Sequence, residues 1–524
     1  MDESRVIGAV LSKTTPSEFH FIIDIEQTEN RPVELGEYVG FSLFDRPAIG
    51  VVSDIERINE EIIDSLANSP ASINRMRELA MEPGAEKLVA TVKVQGYVEP
   101  DGRVIRPRFP PLPGTPVFRD PNEELITAMG QGQIEIGNLL ANPDVPVTLN
   151  VQNLLSRHFS VLAVTGAGKS YTVAVILSEI MNNFPYASIV VIDPHADYFF
   201  FRNLFPNRTQ IFTPTGADNT TRIRFKVRNF NSTQLAEFAN ITSKMTNLMD
   251  KFEEAYQALI QQGDDFDFND IRRYLESVRG NEDLNSKERS FAANALRRMR
   301  FIPEEVFLDA TVETDLYNSS APCLVSPGQM TIIGTGLLPK RGKEALVNQV
   351  LRRIFNGAVA LRQGLDEPRV PGPVLVVIEE AHQFAPPQNT DCKEIIAQIA
   401  AEGRKFGVGL GIISQRPGKI DENVLSQCNT QITLKITNPK DQNAIANASE
   451  TMSADFMKDL PGLNVGEAII TGSAIGLPSM VSIRRIDVSR GGDDVDIIRE
   501  WTEREEENYD VVSVEAEGDL EDLV

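Results

Sequence analysis

The chain has 524 residues, 41% of them apolar, and 51 Lys and Arg against 75 Asp and Glu give a formal net charge of −24. That length holds two to four domains with a large core, and no apolar run approaches the about 18 residues a membrane helix needs. The charge argues against a surface coated in nucleic acid and leaves only local basic clusters for such a partner. Cys323, Cys392 and Cys428 are isolated, without a CxxC pair, and the start MDESRVIGAV lacks the basic-then-apolar layout of a secretory signal. A soluble cytoplasmic protein, without disulfide scaffold, zinc site or membrane segment, is therefore expected.

In chain order, residues 1–118 read as short strands broken by turns: RVIGAVL, EFHFIIDI, EYVGFSLF and AIGVVSDI, then a helical stretch near 58–82 and KLVATVKVQGYV. A small β-barrel closes such strands without leaving edges. RPRFPPLPGTPVF (106–118) is a Pro-rich hinge into a second domain, 119–488. There, FSVLAV, SIVVID, MTIIGT, VLVVIEE and GVGLGIIS read as strands buried on both faces of a parallel sheet, followed by TQITLKIT and GEAIITG. Between SIVVID and MTIIGT, residues 230–310 read as a helical insertion. Met245, Leu248, Phe252, Tyr256 and Leu259 recur in it at helical spacing. The last stretch, 489–524, is an acidic tail, read as a solvated terminus.

VLAVTGAGKSYTVAVI (161–176) places TGAGKS between a strand and a helix, the context of a phosphate-binding loop. Gly166 and Gly168 let the backbone N–H groups of Thr165 to Tyr171, Ala167 among them, turn toward an anion. Lys169 would reach the β- and γ-phosphates of ATP, and the Ser170 hydroxyl would ligate Mg²⁺. Ala163 stands where the first glycine of the motif is usual, which its methyl tolerates if φ stays negative. On a second strand, Glu379 would meet the Mg²⁺ and Glu380 would polarise the attacking water; the bland alternative is a strand ending in two solvated carboxylates. Gln415, at the tip of GVGLGIIS, is either a γ-phosphate sensor or a turn residue. Arg404 ends the amphipathic helix of Ile395, Ile396, Ile399 and Ala400, either as an arginine reaching a neighbour's ATP or as a cation favoured by the helix dipole.

Together RHFSVLAVTGAGKS, VVIDPHADY, VLVVIEEAHQFAP and AAEGRKFGVGLGIISQRP, with the β-rich segment before them, resemble the HerA-type ATPases of the HerA/FtsK branch of RecA-like motors. The resemblance runs to about residue 488. It implies a RecA-like core behind an N-terminal barrel, and a homo-hexameric ring moving along double-stranded DNA. It also implies a partner, either a NurA-type nuclease or a defence effector enzyme. Carried over to this sequence, Lys169 and Ser170 match phosphate and Mg²⁺ contacts and Glu380 the catalytic glutamate. Glu379 stands at a usual Asp, Arg404 matches the arginine at a neighbour's ATP, and Asp193 and His195 match a signature near the site. For DNA, the candidate basic clusters are Lys340, Arg341 and Lys343; Arg297, Arg298 and Arg300; and Arg416 with Lys419. Two rivals are a ring scaffold with slow hydrolysis and a conjugation- or segregation-type DNA pump.

Overall fold

The computed structural model describes residues 5–28, 31–58, 87–239, 241, 244–263, 265–299, 308–318, 322–449 and 451–486. The body of the helix expected near 58–82, Arg300 and the acidic tail 489–524 lie outside the described residues.

The N-terminal strands are β1 (Val6–Thr14), β2 (Glu18–Ile23), β3 (Tyr38–Leu43), β4 (Arg46–Ile58), β5 (Lys87–Val98), β6 (Val104–Ile105) and β7 (Pro116–Arg119). They follow the order β2-β1-β7-β3-β4-β5-β6, and β2 also pairs with β5, which closes six of them into a barrel. The closing pair sets Phe19 opposite Val92 and Phe21 opposite Ala90. These four side chains are fully buried, so the alternation of apolar and polar residues along each strand fills the barrel from inside.

The second sheet has twelve strands, in the order β13-β12-β16-β11-β17-β18-β10-β19-β20-β21-β8-β9. They are β8 (Ile134–Leu139), β9 (Pro146–Leu149), β10 (Phe159–Leu162), β11 (Ser188–Asp193), β12 (Thr209–Thr213), β13 (Thr221–Arg222), β16 (Met330–Gly334), β17 (Val374–Ile378), β18 (Val408–Ser414), β19 (Thr430–Thr433), β20 (Glu467–Thr471) and β21 (Ser479–Ile483). From β13 to β19 neighbouring strands are parallel. Antiparallel β20, β21, β8 and β9 extend the sheet beyond them. The expected parallel core is thus the greater part of a mixed sheet. Every residue of β10, β11, β16, β17 and β18 is buried, as strands covered on both faces require.

Of the longer helices, α1 (Lys169–Asn183) packs on the face that carries Phe159, Val161 and Val377. The opposite face, with Leu162, Val376 and Ile412, is covered by α5 (Lys340–Gln363) and α6 (Asp391–Phe406). The insertion holds α2 (Thr246–Gln262), α3 (Phe268–Gly280) and α4 (Ser286–Met299), and a short parallel pair, β14 (Phe225–Lys226) with β15 (Leu308–Asp309), brackets it. Phe252 and Leu259 of α2 are buried, and Met245, Leu248 and Tyr256 pack beside them. Asp267 and Asp270 form a capping box that starts α3. One buried contact ties barrel to core: the Tyr38 hydroxyl and Ser479 Oγ lie 2.7 Å apart. No described helix is long and apolar enough to cross a membrane.

Candidate nucleotide site

The site forms where β10, β11, β17 and β18 end, at the carboxyl edge of the parallel strands, where open α/β sheets bind ligands. Ala163 is fully buried and does not adopt a positive φ, so its methyl fits where glycine is usual. Gly166 and Gly168 do adopt positive φ, 81° and 101°, and a Cβ built on Gly166 meets nothing within 4 Å. The loop therefore turns with open space over it, and Gly168 caps α1, whose first N–H groups lack intrahelical partners. This is a cradle that fits a phosphate chain.

Lys169 opens α1 and is buried. Its ammonium contacts Glu379 Oε1 and lies 3.6 Å from Glu380 Oε1. Burial holds its pKa below the ordinary lysine value, against the pull of Glu380 and Asp197. Glu379 is fully buried and its Oε2 accepts a 2.8 Å bond from the Tyr198 hydroxyl. Glu380 has a φ of 51°, a left-handed conformation rare for a non-glycine residue, which turns it off the strand line. His382 Nδ1 lies 3.0 Å from its Oε2 and 3.2 Å from Ser414 Oγ. Burial pushes Glu380 up, but the His382 hydrogen bond and the Lys169 charge outweigh it and hold the carboxyl below its usual value. An ionised carboxylate results, ready to accept a proton.

Gln415 Oε1 accepts a bond from Thr165 Oγ1, which joins the tip of β18 to the phosphate loop. Ala167 is buried, and its carbonyl accepts from Gly466 N at 3.2 Å. The Tyr171 hydroxyl accepts from the backbone N–H of Ile486. Asp193, pushed up to about 6 by burial, spends its carboxylate on the backbone N–H groups of His195, Asp197 and Tyr198, at 3.2, 3.1 and 2.9 Å. His195 is exposed on the loop so formed. The same loop brings Asp197 Oδ2 to 3.0 Å from the Ser170 hydroxyl, which donates to it. Asp197 and Tyr198 are the site residues that sequence reading missed, although both lie in the quoted DPHADY.

Arg404 is elsewhere. It is exposed in the last turn of α6, and the chain re-enters the sheet at Val408, the amino end of β18. Seven strand residues, roughly 20 Å, separate that end from Gln415. The chain does not bring Arg404 to its own loop. Of the basic clusters, Lys340, Arg341 and Lys343 open α5, and Arg416 and Lys419 follow β18, so both lie at the nucleotide edge of the sheet. Arg297 and Arg298 end α4 in the insertion.

Among the described residues, no group of three or more His, Cys, Asp and Glu side chains is arranged to hold a metal ion. Mg²⁺ at a phosphate loop suits this, since it takes one or two protein oxygens and completes its shell with phosphate and water. When bound, it would neutralise developing phosphate charge; Ser170 and the neighbouring carboxylates are the residues fit to hold it.

Loop, buried lysine, paired glutamates and the extra strand β18 between β10 and β17 define a P-loop nucleoside triphosphatase with a RecA-like core. Residues 134–354 match the model for the central domain of helicase HerA, and 366–492 the HerA-like C-terminal model. The chain is 31% identical to the DNA double-strand break repair helicase HerA of Pyrococcus furiosus over 551 residues, 94% of this chain and 96% of that protein. Against the protein of the same name from Sulfurisphaera tokodaii it is 31% identical over 527 residues, 96% and 97% of the two chains. The chain belongs to the HerA helicase family. The plasmid coupling protein TrwB, solved with ADP and Mg²⁺, overlaps more loosely, at 15% identity and a TM-score of 0.47 over 70% of this chain and 94% of that one.

Proposed function

We propose that this protein is a hexameric ring that hydrolyses ATP between its subunits to move along double-stranded DNA. As a family member with this site, the chain is an ATP-hydrolysing DNA helicase or translocase. The observation that carries the finer reading is the split of the machinery: Lys169, Glu379 and Glu380 meet in one chain, while Arg404 is exposed at the far end of β18. Lys169 and the loop N–H groups hold the phosphates of ATP, and Glu380 takes a proton from the attacking water. Gln415, joined to Thr165, registers the γ-phosphate. Arg404 of a neighbouring copy neutralises charge on the transferred phosphoryl group, so turnover depends on assembly.

DNA would run past the basic clusters at the nucleotide edge, whose aromatic-poor surroundings suit backbone tracking over base stacking. A nuclease partner in DNA end processing, or a defence effector, and a cytoplasmic location belong to the same proposal. The test is ATPase rate with and without duplex DNA for wild type and Arg404→Ala. Wild type should accelerate on DNA, and the variant should lose about 10³-fold or more. Equal rates in all four conditions would contradict both motor and finger and favour a ring scaffold.

A further inference from the structure

Resting on the reading of this site as one for ATP and Mg²⁺, the structure assigns Asp197 as the acid that serves the metal, a part the sequence gives to Glu379. The two carboxylates are placed differently. Glu379 is buried with both oxygens engaged, one by the Lys169 ammonium and one by the Tyr198 hydroxyl. Phosphates that draw Lys169 away still leave Tyr198 holding Oε2. Asp197 is half-buried, and its contact is with the P-loop hydroxyl itself, at 3.0 Å.

That contact has a direction. An ionised carboxylate only accepts, so the hydrogen of Ser170 turns to Asp197 and the lone pairs of Oγ are left for a cation. The carboxylate also adds one negative charge beside that cation. Asp197 is thus a positioning residue, acting through Ser170, as outer-shell partners of metal ligands do. Its own position is fixed by Asp193, which gathers the N–H groups of His195, Asp197 and Tyr198. One loop thereby sets both acids: Asp197 on Ser170, and Tyr198 on Glu379. In this arrangement Glu379 serves to park Lys169 when the phosphates are absent.

The experiment uses the full chain with a fluorescent ADP analogue and reads binding rather than turnover. Mg²⁺ is titrated at fixed nucleotide, and nucleotide is titrated in EDTA, for wild type, Asp197→Asn, Asp197→Glu and Glu379→Gln. Asp197→Asn should raise the Mg²⁺ midpoint by about 10- to 100-fold while metal-free nucleotide affinity stays at the wild-type level. Asp197→Glu should recover part of the loss, and Glu379→Gln should keep a midpoint near wild type. An Asp197→Asn midpoint equal to wild type, or a larger shift in Glu379→Gln, overturns the assignment. Loss of metal-free binding in Asp197→Asn also overturns it, by giving the residue a role in the fold of the loop. A wild type that binds no nucleotide in either titration overturns the site reading itself.

Discussion

Lys169 and His158 lie at the two ends of β10 and face opposite electrostatic demands. Lys169 is a buried cation with carboxylates in reach, its ammonium against Glu379 and 3.6 Å from Glu380, which offset part of the cost of its burial. His158 is 3% exposed and, among the described residues, has no carboxylate partner. Its Nδ1 accepts from the Leu410 N–H at 3.0 Å, and the ring also bonds the Ala400 backbone. The neutral ring therefore ties β18 and α6 to the start of β10. Burial pushes its pKa down to about 4 from 6.5. The unfolded chain then takes up a proton that the folded chain refuses, so the contribution of His158 is whole above pH 6.5 and is lost as pH falls to 4. The loss amounts to about 3 kcal/mol. Asn suits the φ of 55° and keeps an acceptor for Leu410. His158→Asn should flatten the fall of the thermal midpoint between pH 6.5 and 4; an unchanged slope would assign that fall to other groups.

Among the elements, the joint between barrel and core is testable by itself. Tyr38 is buried, its hydroxyl meets Ser479 Oγ, and burial pushes it up to about 12, so it never ionises at working pH. Tyr38→Phe and Ser479→Ala should each lower the unfolding midpoint, and a double-mutant cycle should give a coupling of about 1 kcal/mol. Zero coupling would mean that barrel and core do not meet through this pair. The elements also show what can be read locally. β10, its loop and α1 are contiguous, so TGAGKS announces itself, and Glu379-Glu380 follow a fully apolar strand. In β8 exposed Glu135 and half-buried Asn138, and in the edge strand β9 half-buried Pro146 and Thr148, interrupt the buried residues, and the register shifts at Gly137, so they do not resemble the continuous apolar runs of the parallel strands. Asp197 was illegible for a different reason. Its contact with Ser170 joins two segments distant in sequence, from a loop whose backbone is held by the carboxylate of Asp193, four residues earlier. The left-handed turn of Glu380 likewise depends on its surroundings and not on its residue type.

At the scale of the whole molecule, the central claim is that each ATP site is shared. One chain carries the phosphate loop with Lys169 beside Glu380, the residue proposed to activate water, at one edge of its sheet and the exposed Arg404 toward the other. An acidic chain can still hold DNA if assembly turns the Lys340 and Arg416 clusters toward a common axis, where six copies of a modest patch add up. The most direct measurement mixes Glu380→Gln with Arg404→Ala subunits, each inactive alone, and follows ATPase rate against mixing ratio. Sharing predicts recovery at intermediate ratios, where an intact Glu380 in one subunit meets an intact Arg404 in the next. No recovery at any ratio, with both variants shown to assemble together, would contradict it.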